Sequence, residues 1–212
     1  MIIPKATQDA ESVAKHYDNL DRFYREIWGE HVHHGLWRTG LETPLEACEA
    51  LSAAVAEKLA LKPGDTVCDV GCGYGGTSRI LADMGAEVTG LTLSEAQIAY
   101  AASAHPRANP RLMQKDWLKN DFPDASFDAV LSIESSEHMV DKPLFFAEVA
   151  RTLKPGGRFA NCVWLSSENP GPAAINHLLE PICREGRLPS MGSESEYSAM
   201  MADAGLKVTS FE

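Results

Sequence analysis

The sequence predicts an α/β protein: a doubly wound, mostly parallel sheet with helices on both faces and an N-terminal helical cap. Three observations predict it. From residue 66 onward, short apolar runs alternate with segments of helical period, the order that builds strand–helix–strand units. The first run, "TVCDVG", opens straight into glycines at 71, 73, 75 and 76, where such a sheet turns into a helix and binds ligands. The first sixty residues carry helical patterning and no strand signal.

Residues 10–28 read as one helix, with Val13, Tyr17, Leu20, Tyr24 and Ile27 in an apolar stripe. "GEHVHHGLWRTG" is irregular. Thr43-Pro44-Leu45-Glu46 is a helix start: Thr43 caps, Pro44 suits the first position and Glu46 completes the capping box. Leu45, Cys48, Leu51, Val55 and Leu59 supply that helix's buried face. Strands then follow at 66–71, 86–94, 110–117, 127–135 and 153–166, alternating with helices at 77–84, 94–104 and 141–153. The fourth run is apolar enough to be buried on both faces. Residues 170–192 interrupt the alternation as a helical insertion, 195–204 form a last helix and "LKVTSF" a sixth strand. One domain, 1–212, results, with residues 1–60 as the cap and 61–212 as the core.

The formal net charge of −11 is spread along the chain and argues against a nucleic-acid binder, which shows a basic patch. No apolar run approaches the length of a membrane span, and the N-terminus lacks a signal peptide's apolar segment. Five cysteines at irregular spacing do not form a disulfide framework, so a reducing cytoplasm is expected.

Glycine loops alone point only to some nucleotide, dinucleotides included. Asp69, two residues before Gly71, is unhelpful to a pyrophosphate and favourable to a cation. The second strand ends "GLTLSEAQ", with Thr92 where a ribose-binding acid is usual. "EHVHH" raises a metal, but no distant partner ligand stands out, so no metal site is expected. Cys68 and Cys72 lack the CxxC form, and Cys48, Cys68 and Cys162 read as small core residues.

"DVGCGYGG", "FPDASFDAVLSIESSEHM" and "RTLKPGGRFA", with the N-terminal "HYDNLDRFYREIWGEHVHHGLW", together resemble class I S-adenosylmethionine-dependent methyltransferases with a Rossmann-like core. The resemblance narrows to the group of tocopherol, sterol and amine methyltransferases and cyclopropane fatty-acid synthases. It implies S-adenosylmethionine as cofactor, with S-adenosylhomocysteine as product. It places Asp69, Gly71, Cys72 and Gly73 around the methionine part, with Thr92, Leu93 and Ile133 also in the cofactor's walls. Gln97 is implied at the ribose, although Ser94-x-x-Gln97 is also a capping box. Asp116 is implied at the adenine amino group, Trp117 beside the ring, and Tyr17 over the cofactor. Trp117 and Tyr17 also fit plain packing.

"SIESSEHM" ends the fourth strand with Glu134, Glu137 and His138. A histidine suits proton removal from an acceptor, and a carboxylate suits a developing cation. Glu137 matches the glutamate that cyclopropane synthases use beside bicarbonate. Those enzymes carry a loop cysteine that "HVHHG" replaces, which weakens a cyclopropanation role. Glu137, His138 and His34 are the catalytic candidates, His34 because the resemblance puts it in the flap over the pocket. Trp28, Leu36, Trp37, Ile175, Leu178, Leu179 and Ile182 are candidates for an apolar acceptor pocket.

The expected activity is methyl transfer to a small, partly apolar acceptor at carbon, nitrogen or oxygen. The alternatives are a nicotinamide-dependent oxidoreductase and a catalytically silent cofactor-binding module. The silent reading arises because the family's seventh strand is missing after "VTSFE". The open sheet edge that this leaves suggests a homodimer.

Overall fold

The computed structural model describes all of residues 1–212. Five strands, β1 (Thr66–Val70), β2 (Glu87–Thr92), β3 (Arg111–Gln114), β4 (Phe127–Ile133) and β5 (Leu153–Cys162), form one all-parallel sheet in the order β3-β2-β1-β4-β5. The order reverses between β1 and β4, so their carboxyl ends flank the crevice where such sheets take ligands. Both are buried on both faces, as their unbroken apolar runs require.

The period of two sorts β1 and β4 between two cores. Val67, Leu131 and Ile133 face the first, beneath α3 (Pro44–Leu59) and α4 (Gly76–Asp83). Cys68, Val70 and Val130 face the second, with Phe145, Phe146 and Val149 of α6 (Lys142–Thr152) and Tyr197 of α9 (Glu194–Asp203). Thr43 and Glu46 form the expected capping box on α3, but Leu45 is exposed, and Cys48, Val55 and Leu59 of the expected face are buried together with Ala47 and Ala56. Ser94 caps α5 (Glu95–Ala104), and Asp141 caps α6 by accepting from the Leu144 N–H.

Four expectations change. The helix over 10–28 is two, α1 (Ala10–Asn19) and α2 (Asp21–Ile27), broken at Leu20. Polar anchors on either side of the break outweigh the apolar stripe, of which only Val13 is buried. Asp18 accepts from the Ser94 hydroxyl (2.5 Å) and the Ala96 N–H (3.2 Å), and Asp21 accepts from the Tyr74 hydroxyl (2.8 Å). The third strand stops at Gln114, because Asp116 caps a 3₁₀ turn over Trp117–Lys119. No sixth strand forms: residues 206–212 enter no ladder, and Val208 and Phe211 are exposed. A strand exists only through its neighbour's hydrogen bonds, and the segment pairs with no strand. Cys48 and Cys68 are buried, whereas Cys162 is only half-buried.

The insertion is helical, as α7 (Pro172–Ala174), a π-helical turn over Ile175–Leu179, and α8 (Glu180–Glu185). It has its own small core of Ile2, Cys183, Leu188 and Met191, with Ile175, Leu179 and Ile182 packed around it. Ile2 and Met191 exchange both backbone hydrogen bonds (2.7 and 2.8 Å), tying the N-terminus to the insertion. No helix is long and apolar enough to cross a membrane.

Candidate functional site

The crevice beyond β1 and β4 encloses about 660 Å³, part of it open to solvent. Its floor is the glycine loop. Gly71 and Cys72 both donate to the Leu91 carbonyl at 2.8 Å, which folds the loop over the end of β2. Gly71 has φ +82°, and a Cβ there would lie 2.2 Å from Ser135 Cβ, so no side chain fits. Gly73 (φ +55°) is different. A Cβ there would meet only Gln97 Nε2 (3.9 Å) and Val32 Cγ2 (4.0 Å), at the cleft itself.

Thr92, Leu93 and Gln97 line one wall. Ser94 accepts from the Gln97 N–H (3.2 Å), half of the expected capping box. The Gln97 side chain does not complete it. Its Oε1 accepts from the Thr92 hydroxyl at 2.6 Å, and its amide NH₂ is left toward the cleft. Thr92, where an acid is usual, orients the glutamine. Asp116 lines the same end, with Oδ1 accepting from the Leu118 N–H (3.0 Å). Trp117 serves both of its readings. It is buried, donates from Nε1 to the Phe145 carbonyl (3.2 Å), and shows an edge to the cleft. Ile133 closes the floor, and Tyr17 and His138 stand at the opposite end beside Val13 and Met139.

Asp69 and Cys72 do not line this cleft. They face an adjoining cavity of about 330 Å³, part of it open to solvent, which shares Gly71, Gly73, Val32 and Ile133 with it. Strand alternation turns Asp69 toward α4, where the Ser78 hydroxyl donates to Oδ2 at 2.6 Å. Burial pushes its carboxyl up to about 6, so a cation beside it would be welcome. Burial also pushes the Cys68 and Cys72 thiols well up, which leaves them unreactive.

His31 and His33 are buried on the same cavity. His33 Nδ1 donates to the His34 carbonyl (2.8 Å), so its Nε2 is the acceptor for His31 Nδ1–H at 3.3 Å. Burial holds His31 down to about 4. Spent on each other, these rings converge with no third ligand.

Two catalytic candidates point elsewhere. His34 is half-exposed, edge-on to Trp28 and Trp164 (centroids 5.1 and 4.8 Å), and bound to Glu134 rather than to the cleft. Its N–H and Nδ1 meet Glu134 Oε1 (3.1 Å) and Oε2 (2.9 Å). Glu137 is buried behind the cleft wall, because the 3₁₀ turn Ser136–His138 sends consecutive side chains in different directions. Its Oε1 accepts from the Trp164 N–H (3.1 Å), its Oε2 is buried without a partner, and burial pushes the carboxyl up to about 7. His138 does reach the cleft. Burial holds its imidazole down to about 4, and it meets Tyr17 and the Arg187 carbonyl.

None of the residues expected in an acceptor pocket, Leu36 included, lines the cleft. Trp28, Trp37 and Leu178 are substantially exposed, and the insertion's isoleucines serve their own core. Sequence reasoning missed Val13, Val32, Val70, Leu91, Lys115, Ser135 and Met139 as cleft residues. Lys115 was open to inference, being directly before Asp116. The others arrive by tertiary placement.

Residues 4–212 match the family model described as mycolic acid cyclopropane synthetase. A probable chloroplastic tocopherol O-methyltransferase of Oryza sativa is 37% identical over 88% of this chain and 57% of its own length. The 27-O-demethylrifamycin SV methyltransferase of Amycolatopsis mediterranei is 34% identical over 94% of this chain and 75% of its own. The cyclopropane synthase MmaA2 of Mycobacterium tuberculosis superposes with a TM-score of 0.82 at 27% identity, covering 97% of this chain and 78% of that one. The chain thus spans little more than half the length of the rice relative. On the match across nearly all its residues and on this shared fold, the chain belongs to the mycolic acid cyclopropane synthetase family.

Proposed function

We propose that the chain binds S-adenosylmethionine in the cleft and transfers its methyl group by in-line displacement to a small, partly apolar acceptor. The observation that carries the reading is the bare Gly73 floor facing the free Gln97 amide, beside a cavity that holds the buried Asp69. Bound there, the cofactor supplies an electrophilic methyl on a sulfonium. Gln97 binds the ribose, oriented by Thr92. Asp116 takes the adenine amino group beside Trp117, and Leu93 and Ile133 pack against the cofactor. Gly71 and Cys72 shape the loop, and Asp69 faces the methionine ammonium, whose charge favours the carboxylate. The walls align donor and acceptor and keep water out.

The matched relatives are methyltransferases and a cyclopropane synthase by name, and none favours a nicotinamide cofactor. We further propose one domain over 1–212, work in a reducing cytoplasm in keeping with five free cysteines, and a dimer across the open β5 edge. The partner chemistry is a small molecule rather than a nucleic acid, in keeping with the −11 charge.

Calorimetric titration with S-adenosylhomocysteine tests the cofactor site. Saturable 1:1 binding is expected. Gly73→Val places a branched side chain at positive φ on the floor, and binding should vanish while the circular dichroism spectrum stays native. Wild-type affinity in that variant would remove the site from the cleft. Gel filtration decides the dimer.

A further inference from the structure

Tyr17, Glu134 and His138 stand at the cleft end away from Asp116, beside Ser135, whose hydroxyl is spent on the Val70 carbonyl and the Ser132 hydroxyl. Both Glu134 oxygens are occupied by His34. Tyr17 and His138 face each other, with the hydroxyl 3.2 Å from Nε2. His138 Nδ1 lies 3.4 Å from the Arg187 carbonyl, which can only accept. The network therefore puts the proton on Nδ1 and the lone pair on Nε2, where the Tyr17 hydroxyl donates. The Tyr17 oxygen, having given its hydrogen to His138, still accepts. It calls for a ligand that arrives with a hydrogen to donate.

The surroundings narrow that ligand. No lysine or arginine side chain lines the cleft at this end. Lys115 lies beside Asp116, and the buried Lys142 ammonium is spent on the Glu137 and Met139 carbonyls and the Ser190 hydroxyl (3.0, 3.2 and 2.9 Å). An anionic head group has no partner here. Glu134 is the one carboxylate lining this end, since Glu137 is behind the wall, and a cationic amine held there would have no lone pair to take a methyl group. Val13, Met139 and the Tyr17 ring favour an apolar body.

We infer that the acceptor is a neutral hydroxyl compound of phenolic type, and that Tyr17 relays its proton to His138. This rests on the methyl-transfer reading. In the step, the acceptor oxygen bonds to the methyl carbon as the carbon–sulfur bond breaks, with its electron pair passing to sulfur. The acceptor's proton moves to the Tyr17 oxygen as Tyr17's own proton moves to His138 Nε2. The sulfonium charge is exchanged for an imidazolium, so the cleft's net charge is unchanged. Burial, with the nearby His16 and Lys142, keeps His138 neutral before the step, and the Arg187 carbonyl and the Glu134 charge favour the imidazolium after it. Tyr17 touches the acceptor and is a catalytic residue in this scheme, and His138 is its proton sink.

The test uses the full chain with S-adenosylmethionine and para-substituted phenols, from para-methoxyphenol to para-nitrophenol. Methylation at the phenol oxygen is expected. Tyr17→Phe and His138→Asn should each slow transfer to para-methoxyphenol by about 10²–10⁴. The deficit should shrink toward para-nitrophenol, which ionises unaided. The double variant should be no slower than either single one, because the two act as a unit. S-adenosylhomocysteine affinity should hold within about threefold in His138→Asn, and nitrogen NMR should find the His138 proton on Nδ1 without any turnover.

Equal deficits along the phenol series, wild-type rates in Tyr17→Phe, or an Nε2–H tautomer would overturn the relay. Binding of S-adenosylhomocysteine with no phenol methylated would overturn the acceptor class and leave methyl transfer standing. Failure of that binding would bring down the cofactor reading and this inference with it.

Discussion

Glu137→Gln isolates the energetic cost of one buried carboxyl. Glu137 is 2% exposed, accepts one hydrogen bond from the Trp164 N–H, and has a second oxygen with no partner. Burial moves its carboxyl from 4.5 to about 7. At about 1.4 kcal/mol per pH unit, the ionised form costs the native state roughly 3 kcal/mol. The folded value lies above the unfolded one, so the native state keeps a proton that the unfolded chain releases between these two pH values. Stability from this group is complete below pH 4.5 and is lost as pH rises through about 7.

Glutamine keeps the Trp164 acceptor and never ionises. The assay is urea denaturation of both proteins at several pH values from 4.5 to 8. The variant should gain on the wild type by up to roughly 3 kcal/mol across that range, with the curves converging at the acid end. Asp69, raised to about 6, and His31, held near 4, titrate in both proteins and drop out of the difference, whereas Lys142, lowered to about 8 and favoured by the Glu137 charge, titrates lower in the variant and reduces its gain toward pH 8. A difference independent of pH would mean that Glu137 ionises normally in the fold, and the desolvation reasoning would fail.

Two other outcomes follow from the same geometry. Gln97→Ala removes the free amide facing the cleft and should weaken S-adenosylhomocysteine about tenfold by calorimetry, with Thr92→Val weakening it less; unchanged affinity in Gln97→Ala would take the glutamine out of the site. Lys142→Met leaves two carbonyls and the Ser190 hydroxyl without their donor, and should cost about 2–4 kcal/mol in denaturant while loosening the Arg187–Ser190 segment against His138; a loss below about 1 kcal/mol would show the ammonium to be dispensable.

Much of the architecture was legible because its rules are short-ranged. The alternation of five strands, the Thr43–Glu46 capping box and the caps at Ser94 and Asp141 each involve residues within a few positions of one another. The glycine pattern located the cleft floor for the same reason. Direction was harder to read. "SIESSEHM" placed Glu134, Glu137 and His138 at the end of β4, yet of these three only Glu134 and His138 line the cleft. Turn geometry, with Glu134 at φ +47°, decided which ones. Gln97 carried two readings that its neighbours could not separate, and the Thr92 hydroxyl separates them.

The residues alone specified a parallel α/β sheet, a glycine loop preceded by an acid, and a strand end rich in acids and histidine. Period, capping and backbone sterics act over a handful of positions, and a linear chain displays them directly. Folding alone could turn His34 away onto Glu134, 100 positions distant, sink Glu137 behind the wall, and leave the last segment unpaired. It also brought Tyr17 to His138 across 121 positions. Those outcomes depend on which surfaces meet, and on how burial reweights each charge once they do.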